Sequence, residues 1–112
     1  MHIDYSNVAT RDDLLGHVET GSLVKMFLLP EIFGGEDRKE NVVFVPPFAV
    51  DQKEELDSNT IRDLIMQRKI NSYEAIPSFV GDSLVPSFVT VKVHGPEYFV
   101  FVIKVWSERG AA

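Results

Sequence analysis

Phe88-Val89-Thr90-Val91-Lys92-Val93-His94, then Gly95-Pro96, then Tyr98-Phe99-Val100-Phe101-Val102-Ile103-Lys104-Val105-Trp106 is the stretch whose reading decides the fold. In the first segment Val89, Val91 and Val93 alternate with Phe88, Thr90, Lys92 and His94, the period-2 pattern of a strand with one buried face. Gly95-Pro96 stops the run and turns the chain back. In the second segment Phe99, Phe101, Ile103 and Val105 alternate with Tyr98, Val100, Val102, Lys104 and Trp106, so a long antiparallel hairpin is expected. Over residues 98 to 103 the second strand is apolar on both faces. That predicts either a central strand or one covered by a partner, a second copy of the chain included.

Upstream of the hairpin, Tyr73 to Ile76 reads as a short strand before Pro77, and Gly81-Asp82-Ser83 as a turn. Residues 48 to 69 are rich in helix formers. Leu56, Thr60, Ile61, Leu64 and Ile65 fall on one side and Glu54, Glu55, Arg62, Asp63 and Gln67 on the other, an amphipathic helix interrupted near Ser58-Asn59. Asn41 to Val45 is a strand stopped by Pro46-Pro47. Ser22 to Leu29, bounded by Gly21 and Pro30 and too short for a core helix, reads as a buried strand. Thr10-Arg11-Asp12-Asp13 opens like a helix, with a hydroxyl cap and acids in the first turn, and Leu14, Leu15 and Val18 give it a short apolar stripe. Together these elements predict an α+β fold: a mostly antiparallel four- or five-stranded sheet with one or two helices packed on one face.

The chain has 112 residues and is 45% hydrophobic, enough for one real core, so a single domain spanning residues 1–112 is expected. Lys25, Lys92 and Lys104 break the apolar runs well short of the roughly 20 residues that span a bilayer. Met1-His2-Ile3-Asp4 lacks the basic head of a secretory signal, and there are no cysteines, hence no disulfides, thiolate nucleophile or thiolate zinc site. A cytoplasmic protein is the simplest expectation.

Charge is distributed unevenly. The chain carries -6, and residues 31 to 57 alone hold eight acids against three bases, a local charge of -5. Such a field repels phosphate backbones and attracts basic partners, which argues against nucleic-acid binding. Most conspicuous is the loop Glu31-Ile32-Phe33-Gly34-Gly35-Glu36-Asp37-Arg38-Lys39-Glu40-Asn41, set between two apolar strands. Glu36, Asp37, Glu40 and the Asn41 carbonyl are hard oxygen donors, yet they do not follow the calcium-loop pattern. A solvated tip, with Gly34-Gly35 supplying positive φ and Arg38 or Lys39 pairing with a carboxylate, is the simpler reading.

No complete catalytic or metal-binding motif is present. His2, His17 and His94 stand apart in sequence with no metal-ligand spacing. Ser83 lacks a nucleophile elbow and a neighbouring base, and Gly34-Gly35 is not followed by a P-loop lysine. No catalytic residue, metal ligand or cofactor is therefore assigned.

One ordered set of residues resembles a known family. Phe33-Gly34-Gly35-x-Asp37-x-x-x-Asn41-x-Val43, then Val45-Pro46, an amphipathic helix, Tyr73-x-x-x-Pro77 and Gly81-Asp82-Ser83-x-x-Pro86-Ser87 is similar to the later half of the ββα-metal DNA/RNA non-specific endonuclease domains at the ends of bacterial toxins. The resemblance covers roughly residues 23 to 94 and implies that Asn41 would help hold magnesium. The histidine that activates water in that family has no counterpart between Ser22 and Phe33, so the resemblance implies a relative without its general base.

Two functional expectations follow. The first is a non-enzymatic interaction protein of the immunity or inhibitor type, facing a basic partner with Glu36, Asp37, Arg38, Glu40, Asn41, Glu54, Glu55 and Asp57. The second is a small metal-dependent hydrolase, or a degenerate nuclease, that draws Glu36, Asp37, Asn41, Asp82 and His94 together in the fold. A homodimer through Tyr98 to Ile103 is compatible with either.

Overall fold

Residues 4–106 are described by a computed structural model; the readings of residues 1–3, His2 among them, lie outside it. Thr10 opens helix α1 (Arg11–Glu19) as its sequence predicts. Its hydroxyl accepts from the Asp13 N–H at 3.1 Å while the Asp13 carboxylate accepts from the Thr10 N–H at 3.3 Å, a reciprocal capping box. Gly21, at φ 81°, takes the chain out of the helix.

Strands β1 (Val24–Phe27) and β2 (Val42–Val45) pair antiparallel, with Val24 opposite Val45 and Phe27 opposite Val42. The strand expected over residues 22 to 29 is thus shorter than its apolar run. Beyond it, the Leu28 N–H still donates to the Asn41 carbonyl at 2.9 Å. Pro46 caps and Pro47 opens the next helix, so the two prolines both end a strand and start a helix, where Pro47's fixed φ and missing N–H cost nothing.

That helix runs from α2 (Pro47–Glu55) through a π turn (Leu56–Ile61) into α3 (Arg62–Met66) with the backbone helical at each junction. The interruption expected near Ser58-Asn59 is this π turn. It also explains why the buried face differs from the predicted one. Four residues advance an α-helix by about 400°, so an i, i+4 row drifts about 40° at each step, and the wider π turn takes back part of that drift. Ala49, Lys53, Asp57 and Ile61 consequently share one buried row. Leu56 and Leu64 flank it half-buried, while Thr60 and Ile65 are exposed.

Strands β3 (Ser72–Ser78), β4 (Phe88–His94) and β5 (Tyr98–Lys104) form a second antiparallel sheet in the order β3-β4-β5. β3 runs on through Pro77, which lies opposite Val89, instead of stopping before it. It can do so because β3 is an edge, where a missing N–H is tolerated. The fold is α+β, and its five antiparallel strands divide into sheets of two and three. β4 is the central strand and β5 an edge.

One core cluster joins the two sheets and α2 through Leu23, Met26, Val43, Val45, Ala49, Val89, Ile103 and Val105. The other sets Ile61 and Ile70 against Val91 and Val93, with Leu56, Leu64, Phe99 and Phe101 packed around them. The long helix therefore covers the inner face of the three-stranded sheet. Among the described residues no helix is long and apolar enough to cross a membrane.

Candidate functional site

A groove of about 510 Å³ opens between β1 with the segment that follows it and the long helix. Met26, Phe27, Pro30, Glu31 and Ile32 form one wall, and Val50, Lys53, Glu54, Asp57 and Ser58 the other. The helix supplies its wall because the i, i+4 row that buries Ala49 and Ile61 also carries Lys53 and Asp57 inward.

Two of its lining residues, Lys53 and Asp57, close a hydrogen-bonded triangle with Tyr73 behind them. Lys53 Nζ donates to Asp57 Oδ2 at 2.7 Å and to the Tyr73 hydroxyl at 2.8 Å, and that hydroxyl donates to Asp57 Oδ1 at 2.7 Å. The ammonium also lies 5.3 Å from the centroid of the Tyr73 ring, within cation–π range. Lys53 and Asp57 each retain only 2% of their surface. Burial pushes the Lys53 ammonium below its ordinary pKa, opposed by the hydrogen bond and charge of Asp57. Burial, then the charge of Asp57 and the bond to it, push the Tyr73 hydroxyl far above its ordinary range. The phenol thus stays a neutral donor, and Asp57 balances Lys53, leaving the triangle with no net charge.

The groove's other carboxylates are different. Glu31 and Glu54 are exposed, and neither forms an ion pair among the described residues. Lys25 lines the groove too, but its ammonium is held by Asp37 at 3.1 and 2.9 Å. Ile32 projects with 60% of its surface exposed. A groove with apolar side chains on both walls and two unpaired carboxylates among its lining residues suits the stem and head of a cationic side chain.

The charged loop has a defined internal order. Gly34 takes φ 95°, and at Gly35 a Cβ would collide with the Leu29 carbonyl, so each glycine is required for its own reason. Asn41 staples the loop shut. Its Oδ1 accepts from the Leu29 N–H at 2.7 Å, and its Nδ2 donates to the Leu29 carbonyl at 2.9 Å and the Glu36 carbonyl at 3.0 Å. The amide therefore imitates one more residue of a β ladder. Asn41, the position carried over by the nuclease resemblance, has its amide spent on the backbone.

Of the other residues expected at a partner surface, Glu36, Asp37, Arg38, Glu40, Glu54 and Glu55 are exposed. Asp57 is turned inward with both oxygens engaged. Asp82 lies in the loop from β3 to β4, and His94 ends β4, roughly 20 Å from that strand's first residue at the usual rise per residue. His94 packs near Tyr98, with ring centroids 6.3 Å apart. Among the described residues no three of His, Asp and Glu gather into a metal-holding group.

Sequence reasoning assigned no site role to Lys53, Tyr73 or Lys25, and it noticed Glu31 only as the first residue of the charged loop and part of a charge count. The signal for the first was present: Lys53 and Asp57 stand four apart, flanked four residues away on each side by Ala49 and Ile61. No family model, no curated protein and no solved structure matches the chain.

Proposed function

We propose that the chain is a non-enzymatic interaction protein of the inhibitor or immunity kind, and that its groove receives an arginine or lysine side chain of a basic partner. The observation that carries this reading is the pair of exposed, unpaired carboxylates, Glu31 and Glu54, on the two walls of a groove that also presents apolar side chains. Met26, Pro30, Ile32 and Val50 supply the walls for an aliphatic stem, and the two carboxylates accept the cationic head. Glu36, Glu40 and Glu55, exposed nearby in sequence, extend the negative field that steers the partner in, so association should slow steeply as salt rises.

The test is a heteronuclear NMR titration with an arginine-rich peptide. Shifts should concentrate on Ile32, Val50 and Glu54, weaken with salt, and disappear in the double variant Glu31→Gln, Glu54→Gln. Shifts spread evenly over the surface, or a double variant that binds like the parent protein, would refute the reading.

A further inference from the structure

β3 and β5 are the two edges of one sheet, and only β3 is defended. It carries Pro77, which has no N–H to offer, and the exposed carboxylate of Glu74, two devices that keep another strand from adding. β5 has neither. From Tyr98 to Ile103 it bears no charge, and among the described residues no backbone hydrogen bond runs from it to any segment but the β4 side. Its outward face exposes Tyr98, Val100 and Val102, the last by 54%. Phe99 and Phe101 line the inner face half-buried, and α2 packs on the core side, where Ala49 and Ile103 share a cluster. An apolar edge with free backbone groups is a template for another strand.

We propose that β5 pairs antiparallel with β5 of a second copy about a twofold axis at Phe101, joining two three-stranded sheets into one of six. The strand is its own complement in that register. Val100 meets Val102 of the partner subunit on the outward face, while on the inner face Phe99 meets Ile103 of the partner subunit and Phe101 meets its equivalent. At each end Lys104 lies across from Tyr98 of the partner subunit, a cation beside an aromatic ring. No like charges oppose each other. Moving the axis one residue either way sets Glu97 against Ile103 or Lys104 against Val100, so the sequence selects one register. This self-complementarity favours a second copy over an unrelated strand.

Sedimentation equilibrium of the full chain tests the proposal. The parent protein should sediment at twice its 12.6 kDa, and a monomer persisting to about 1 mM would overturn the proposal whatever any variant does. The register is tested by two double variants that keep the native circular dichroism. Val100→Glu with Val102→Glu sets acid against acid across the axis and should give a monomer. Val100→Glu with Val102→Lys sets acid against base twice and should restore the dimer. In either variant the new carboxylate at position 100 lies beside Lys92 within its own subunit, a favourable neighbour. If the two variants assemble alike, both monomeric or both dimeric, the edge-to-edge register is wrong.

Discussion

Lys25 meets Asp37 at 2.9 Å with 45% and 61% of the two side chains in solvent, whereas Lys53 meets Asp57 at 2.7 Å with 3% and 4%. The residue types and contact distances are nearly the same, and the physics is not. Water screens the first pair and hydrates both partners when it opens, so the pair is a light tether from β1 to the loop tip. The second pair has left water, and its stability depends on how completely the lost hydration is replaced. Tyr73 supplies the replacement, accepting from the ammonium and donating to the carboxylate. Proximity alone therefore says little about an ion pair's energetic role.

The largest effect should come from opening the buried pair. Asp57→Ala leaves an ammonium without its counter-charge in the core and is expected to destabilise the protein by about 3–5 kcal/mol, read from urea unfolding. The loss should shrink as pH rises. Folded Lys53 sits below the ordinary lysine value of 10.5, and removing the acid lowers it further. Between that folded value and 10.5 the unfolded chain holds more protons, so stability increases with pH in this window. The triple variant Lys53→Met, Asp57→Leu, Tyr73→Phe, which removes every buried polar partner together, should recover most of the loss. A triple variant as unstable as Asp57→Ala would show that packing, not the uncompensated charge, sets the cost.

Asn41→Ala comes next. It leaves the Leu29 N–H and the Leu29 and Glu36 carbonyls without the amide that now meets them, and should cost about 1–3 kcal/mol. It also separates loop order from loop charge, because no charge is removed. Amide exchange in residues 29–41 should rise while exchange at Lys53 and Tyr73 stays unchanged; uniform acceleration would mean that the loop and the buried triangle open together.

What the sequence disclosed and what it concealed divide along the same line. The β4–β5 hairpin, the Thr10 cap and the π-turn break near Ser58-Asn59 are local events, set by alternation, capping chemistry and helix-poor residues, and they read directly from neighbouring positions. The split into two sheets and the edge position of β5 depend on which strands meet across the chain, which alternation does not encode. The charged loop drew notice by composition, yet its most consequential residue is the neutral Asn41, whose role depends on Leu29 lying opposite. Asp57 reads as a partner-facing acid and Lys53 as one base in a charge count, because such residues are almost never buried unpaired. Their partner, Tyr73, lies sixteen residues beyond Asp57 on another element.

Tyr73→Phe sharpens the buried side of the comparison. Removing the hydroxyl takes a bond from each charged partner and should cost about 1.5 kcal/mol at neutral pH. The alkaline limb should differ as well. The folded hydroxyl ionises far above its ordinary 10.0, so its contribution is fully present below 10.0 and fades above it, as the unfolded chain alone loses the proton. Past 10.5, where the opposing contribution of Lys53 has ended, the parent protein should lose about 1.4 kcal/mol more per pH unit than the variant. Equal alkaline slopes would place the hydroxyl in contact with water.

Asp37→Ala should have the smallest effect, and its size tests the exposed side of the comparison. An ion pair with this much solvent contact is worth about 0.2–1 kcal/mol, and salt reduces it further. The backbone around Asp37 is held by other means, since the Arg38 N–H donates to the Glu36 carbonyl and the Asn41 N–H to the Arg38 carbonyl, each independent of the carboxylate. The variant should therefore unfold within 1 kcal/mol of the parent protein, and the difference should close at high salt. It also frees Lys25, a cation that lines the groove with Glu31 and Glu54. Affinity for an arginine-rich peptide should fall although Asp37 itself need not touch the peptide. A stability loss approaching that of Asp57→Ala would mean that the loop and β1 depend on this pair as the core depends on the other, and the distinction between the two lysines would collapse.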